Sequence, residues 1–200
     1  MLHNTLGKLG GVTLAAMLLA TCHAGAQQLI QNGDFELNSG SRAPDWNVAY
    51  GDDHVWHIGG SFGNIMEIGP GSVGSQVNQQ FVVGGSTSLE ISLDYGVFST
   101  GAASDPWPLE VVLLNSSDTA VWSQSLDAFD AAQTSSYSPI QTLDATTGIL
   151  APDTYTLQLT ADNGWTTVDN VSVMAAPEPA SLALAGLGGA AFLAFRRNRK

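Results

Sequence analysis

From Leu89 to Tyr95, apolar and polar residues take strict turns: Leu89, Ile91, Leu93 and Tyr95 alternate with Glu90, Ser92 and Asp94. A period of two is the mark of a strand with one face buried and the other wet. The same period recurs at Tyr155, Leu157 and Leu159, set among Thr154, Thr156, Gln158 and Thr160. Other strand-like runs, at Leu29-Ile30, 64–68, 76–83 and 168–173, are just as short. Turn chemistry separates them: Gly33-Asp34, Gly69-Pro70-Gly71, Gly84-Gly85 and Asp162-Asn163-Gly164. Leu109 to Leu114 is apolar on both parities and predicts a strand covered on both sides. Nothing between these runs has the helical pattern that a βαβ crossover needs. About eight to eleven short strands without a long helix predict an all-β fold, an antiparallel β-sandwich of jelly-roll type.

The two ends read differently. Lys8, an apolar stretch from Leu9 to Ala20 and the small-x-small site Ala24-Gly25-Ala26 predict a cleavable signal peptide over 1–26. A lipoprotein signal ending at Cys22 is the rival reading, with Thr21 a poor fit before the cysteine. Cys22 is the single cysteine, so cleavage after Ala26 leaves no thiol for a disulfide, a cysteine metal site or catalysis. At the other end Pro177-Glu178-Pro179 breaks any strand, and 180–195 is an uncharged apolar run. As a transmembrane helix that run would reach roughly 24 Å at ~1.5 Å per residue, short enough to need snorkelling or local thinning of the bilayer. The basic tail 196–200, with Arg196, Arg197, Arg199 and Lys200, is expected to stay cytoplasmic.

Between these ends, 27–176 is long enough for one domain. It holds seventeen of the 18 acidic residues and a single basic residue, Arg42. Such a surface repels phosphate backbones and excludes nucleic acid as a partner, while it suits solubility, divalent cations and neutral ligands.

The order Pro177-Glu178-Pro179, short apolar helix, arginine-rich terminus resembles the PEP-CTERM sorting signal. The resemblance implies an exosortase as partner, anchoring in the inner membrane of a Gram-negative bacterium, cleavage near the Pro-Glu-Pro motif, and delivery to the envelope, surface or extracellular matrix beside exported polysaccharide. A second resemblance links Leu29-Ile-Gln-Asn-Gly-Asp-Phe-Glu36 and Val168-Asp-Asn-Val-Ser-Val173 to the terminal motifs of carbohydrate-binding-module and galactose-binding-like β-sandwiches. Trp46 after Pro44-Asp45, and Ala151-Pro-Asp-Thr-Tyr155, fit the same pattern. It implies that the first and last strands meet and that Glu36 and Asp169 hold a structural Ca2+, the alternative being that both carboxylates cap turns.

Sugar faces stack on aromatic rings. Trp56, Trp107 and Trp165 lie in polar or turn-rich segments and are the candidate ligand contacts, with Tyr50 and Tyr137 behind them; Trp46 and Trp122 read as core. His54 and His57, three apart on a strand, should face opposite sides and share no metal. No nucleophile elbow, zinc helix or phosphate loop is present. Glu67, Glu90 and Glu110 are the carboxylates from which a glycoside-hydrolase pair would be drawn. The expected function is therefore a non-enzymatic exported protein with a carbohydrate-binding-like sandwich, the alternatives being a secreted glycan hydrolase or a structural adhesin or spacer.

Overall fold

The computed structural model describes residues 26–51, 53–57, 63–69, 74–97, 108–128, 141–161 and 166–176. The leader and everything after Ala176, including the sorting motif and the apolar run, lie outside the described residues, as do Trp107, Tyr137, Trp165 and the turn at 162–164.

The described residues form strands and turns with no helix. The strands are β1 (Gln27–Gln28), β2 (Asn47–Tyr50), β3 (Asp53–His57), β4 (Asn64–Ile68), β5 (Ser75–Val83), β6 (Leu89–Val97), β7 (Pro108–Leu114), β8 (Ala120–Asp127), β9 (Gln141–Thr146), β10 (Asp153–Ala161) and β11 (Thr166–Ala175). One sheet runs β3-β4-β11-β6-β9, with β1 also on β11; the other runs β2-β5-β10-β7-β8. Apart from the short β1, every pairing is antiparallel. This is the antiparallel sandwich that the two-residue periods predict.

Each period points its apolar half inward. Leu89, Ile91, Leu93 and Tyr95 of β6 and Tyr155, Leu157 and Leu159 of β10 are buried in one core with Val77, Phe81, Leu109, Val111 and Leu113. Trp46 is in that core and Trp122 packs on its rim. Phe81 and Tyr155 stack with centroids 6.2 Å apart, and the Tyr155 hydroxyl donates to the Ala151 carbonyl (2.8 Å), closing the turn into β10. Burial raises the Tyr155 hydroxyl above its ordinary pKa, and the charge of Asp153 adds to the effect.

Leu109–Leu114 corrects the sequence reading. Only Leu109, Val111 and Leu113 are buried; Glu110, Val112 and Leu114 are half-exposed. The outer surface of this sheet meets solvent, and its neighbours there are Thr156, Gln158 and Thr160.

A glutamine holds the loop before β2 to the sandwich. Gln79 is buried on the inner face of β5. It accepts from the Gln31 N–H (2.7 Å) and donates to the carbonyls of Gln31 (2.9 Å) and Asp45 (3.1 Å). Gln79→Leu keeps the volume but strips partners from these backbone groups. A loss of about 1–2 kcal/mol is expected, read as a lower denaturant midpoint with unchanged slope.

Candidate functional site

The two terminal motifs dock on one another. Asn32 adopts φ 49°, and its amide clasps Leu37, accepting from its N–H (2.9 Å) and donating to its carbonyl (2.7 Å). That loop drives Phe35, at φ 52°, into the core, where it is fully buried 5.6 Å from the Trp46 ring. The Trp46 indole donates to the Asn32 carbonyl (3.2 Å). Opposite, β11 changes register between Asp169 and Ser172, with Asn170 at φ 50°. Val171 N–H donates to the Gly33 carbonyl (2.9 Å) and Leu29 N–H to that of Val173 (2.8 Å). Gln28 accepts from the Val173 N–H (2.9 Å) and donates to the Ser172 hydroxyl (2.8 Å).

Glu36 and Asp169 flank this junction. Both oxygens of Glu36 take Asn64, one its backbone N–H (2.9 Å) and the other its side-chain amide (3.0 Å). Asp169 is buried and accepts the N–H of Asn170 (2.7 Å). Burial pushes the Asp169 carboxyl up to about 7; the Asn170 bond opposes this, and repulsion from Asp94, Asp34 and Glu36 adds to it. Each carboxylate thus accepts a backbone N–H. Yet the charges of Asp94, Asp34 and Glu36 raise the cost of ionising Asp169, a field that a bound dication would relieve. Among the described residues, no three or more histidine, aspartate or glutamate side chains gather as a ready-made cage. Ca2+ there would depend on carbonyl oxygens beside Glu36 and Asp169.

The outer faces of the two sheets differ in chemistry. On the five-stranded sheet, one row holds Asn47, Asn78, Gln158, Val112 and Ser123; the next holds Gln76, Thr160, Glu110 and Ser125. Gln80, Thr156 and Leu114 continue the face. Asn47 donates to Asn78 (3.4 Å) and Gln76 to Thr160 (2.9 Å). Tyr50, 48% exposed, borders the second row beside Gln76. The face is therefore mostly amide and hydroxyl, offering donors and acceptors together. On the six-stranded sheet, a cleft of about 290 Å³ is lined by Glu90, Ser92, Asp144, Thr146 and Met174, and Asp94 lies further along β6.

The three glutamates do not form a catalytic pair. Glu110 is on the outer face of one sheet, Glu67 and Glu90 on the other. Glu67 is fully buried, and its row meets β6 at Gly96, which is roughly 20 Å along the strand from Glu90 at ~3.4 Å per residue. Glycoside hydrolysis needs about 5–10 Å. His54 and His57 lie on strand β3 and face opposite sides: His54 pairs in register with Glu67, and His57 meets Asn64 (2.9 Å). Trp56 lies on β3 opposite Ile65. Among the described side chains of the aromatic candidates, Tyr50 is exposed and borders the amide face. Its sequence neighbours, Val48, Ala49 and Gly51, are not polar and gave no signal that sets it apart.

The fold is a β-sandwich with its terminal motifs joined, and solved structures share it. The fold is similar to TmCBM61 in complex with β-1,4-galactotriose, with TM-score 0.50 and 10% identity over 75% of this chain and 99% of that one. It is also similar to part of the arabinose-bound α-L-arabinofuranosidase MgGH51 (TM-score 0.53, 13% identity, 73% of this chain and 26% of that one). A third likeness is to the enzymatically active domain of bacteriophage CBA120 tailspike protein 4 (TM-score 0.50, 10% identity, 73% and 21%). The chain thus spans about a quarter of each of the two enzymes and nearly all of the binding module. No curated protein matches the sequence. Residues 175–200 match the PEP-CTERM protein-sorting motif. The chain carries that motif, which marks it for export with membrane anchoring before cleavage and implies an exosortase as the processing enzyme.

Proposed function

We propose that this is an exported, non-catalytic polysaccharide-binding protein, sorted by an exosortase to the envelope or extracellular matrix of a Gram-negative bacterium and associated there with exopolysaccharide. The observation that carries the reading is the sorting motif behind a sandwich of binding-module fold. The leader over 1–26 and a membrane-spanning 180–195 are part of it, with Pro177, Glu178 and Pro179 as the processing signal and the basic tail held on the cytoplasmic side. The separation of Glu67, Glu90 and Glu110 favours binding over hydrolysis. The amide face with Tyr50 is taken as the contact surface, because hydroxyl-rich polymers need paired donors and acceptors and an aromatic edge. Trp56, Trp107 and Trp165 stay in the reading as further contacts. Glu36 and Asp169 would hold Ca2+, which would supply positive charge at the junction of the terminal motifs.

The test is sedimentation of the protein with exopolysaccharide from its own producer. Binding is expected to fall about tenfold or more in a Tyr50→Ala, Gln158→Ala double variant, equal to at least ~1.4 kcal/mol. Unchanged binding there, with loss in Trp56→Ala, Trp107→Ala or Trp165→Ala, would move the surface to the tryptophans. No binding by the unaltered protein to any polysaccharide would end the reading.

A further inference from the structure

Among the described residues, four strands end the two sheets: β2 and β8 on one, β3 and β9 on the other. Open edges attract other strands unless they are short, charged, bulged or covered. Three edges have such guards. β2 is four residues long with a register shift between Val48 and Tyr50. β3 carries Asp53, His54 and His57, and β9 has Asp144 near its middle. β8 is different. It is eight residues long, mostly exposed, and free of charge from Ala120 to Leu126 on a domain with seventeen acids. Its one irregularity lies at its start, opposite Leu113 and Leu114, and the register from Trp122 to Asp127 is regular.

The composition of that regular stretch is symmetric. It reads Trp122-Ser123-Gln124-Ser125-Leu126: apolar, hydroxyl, amide, hydroxyl, apolar. Set antiparallel against itself about Gln124, it brings Trp122 opposite Leu126, Ser123 opposite Ser125, and Gln124 opposite its own copy. Cross-strand pairing of like polarity is what stabilises a ladder. Trp122 and Leu126 are half-buried on the core rim, so the other copy's apolar residue would cover the side that is now wet.

We propose that β8 is a self-association edge, pairing with β8 of a second copy of this chain about a two-fold axis at Gln124. The occupant is a second copy because the polarity is self-complementary, and because two strongly acidic domains can approach closely where their edges carry no charge. The pairing is isologous and closes at two copies. The axis stands perpendicular to the sheet, so the two outer faces point the same way and join into one surface. Neither the edge nor its symmetry depends on what that surface binds.

The test uses the exported full chain carrying Cys22→Ser. With Gln124→Cys the two thiols face one another, and a shift from monomer to disulfide-linked dimer is expected on a non-reducing gel. Ser86→Cys, in the exposed turn between β5 and β6, should remain monomeric. In detergent solution, light scattering should give a dimer mass for the unaltered chain and a monomer mass for Gln124→Glu, whose like charges would meet, with unchanged circular dichroism. A monomer at every concentration, or equal cross-linking at positions 124 and 86, would overturn the proposal.

Discussion

Gly33→Ala is expected to destabilise the domain by about 3–5 kcal/mol, in the range reserved for direct backbone conflict. A Cβ at Gly33 would run into the carbonyl oxygen of Val171 and sit 2.9 Å from its carbonyl carbon. That carbonyl cannot swing away cheaply. The Val171 N–H is bonded to the Gly33 carbonyl, and its neighbours Ser172 and Val173 are bonded to Gln28 and Leu29. The new methyl must therefore push apart the junction of the two terminal motifs. Thermal unfolding of Gly33→Ala should fall by roughly 10 °C, taking 2–4 °C per kcal/mol for a chain of this size. Two other glycines calibrate the claim. Gly84→Ala meets nothing within 4 Å and should change little. Gly40→Ala is equally uncrowded but sits at φ 73°, so it should cost about 1 kcal/mol through backbone strain alone. Equal effects at all three positions would show that close approach at Gly33 is not what matters.

Gly33 also shows where a sequence stops being legible. The motif Leu29–Glu36 is visible as a string, and so is its counterpart near the end of the chain. The reasons for its members are not. Asn32 and Asn170 are there for left-handed backbone, Gly33 for a close approach, and Phe35 for a core position reached through an unusual φ. The close approach at Gly33 is to Val171, more than a hundred residues away, while Asn32 and Phe35 answer to Leu37 and Trp46 in the folded loop. The strands with one dry face were readable, since burial alternates along β6 and β10 as polarity does. β8 was not, because on this edge strand only Trp122 and Leu126 are half-buried, too sparse an alternation to find. Leu109–Leu114 misled in the opposite direction, its outer apolar residues being half-exposed on a face that is otherwise polar. The carboxylates Glu67, Glu90 and Glu110 were similar in sequence and proved unlike in place: one fully buried, two on opposite faces. Sheet register decides such matters, and register comes from pairing with distant strands.

The same junction should make stability depend on pH in an unusual sense. Asp169 has a folded pKa of about 7, against an ordinary aspartate value of about 3.9 in the unfolded chain. Below pH 4 the carboxyl is protonated in both states and contributes nothing. Between pH 4 and 7 the folded chain holds a proton that the unfolded chain has lost, so stability falls as pH rises. Above pH 7 the burden is complete. Burial and the charges of Asp94, Asp34 and Glu36 then act on an ionised Asp169, a loss of about 2–4 kcal/mol. In chelator, the unaltered protein should therefore melt several degrees lower at pH 8 than at pH 5. Asp169→Asn removes the charge and keeps an oxygen for the Asn170 N–H. It should flatten that dependence and exceed the unaltered protein at pH 8. A Ca2+ ion at Glu36 and Asp169 would act against the same repulsion. Added Ca2+ should then raise the pH 8 melting temperature of the unaltered protein and leave Asp169→Asn nearly unmoved. If Ca2+ shifts neither protein while the pH slope is present, the acids are a strained cap without an ion. If the slope is also missing in chelator, Asp169 is ionised in the fold at neutral pH, and the repulsion assigned to this junction is offset by contacts other than those described.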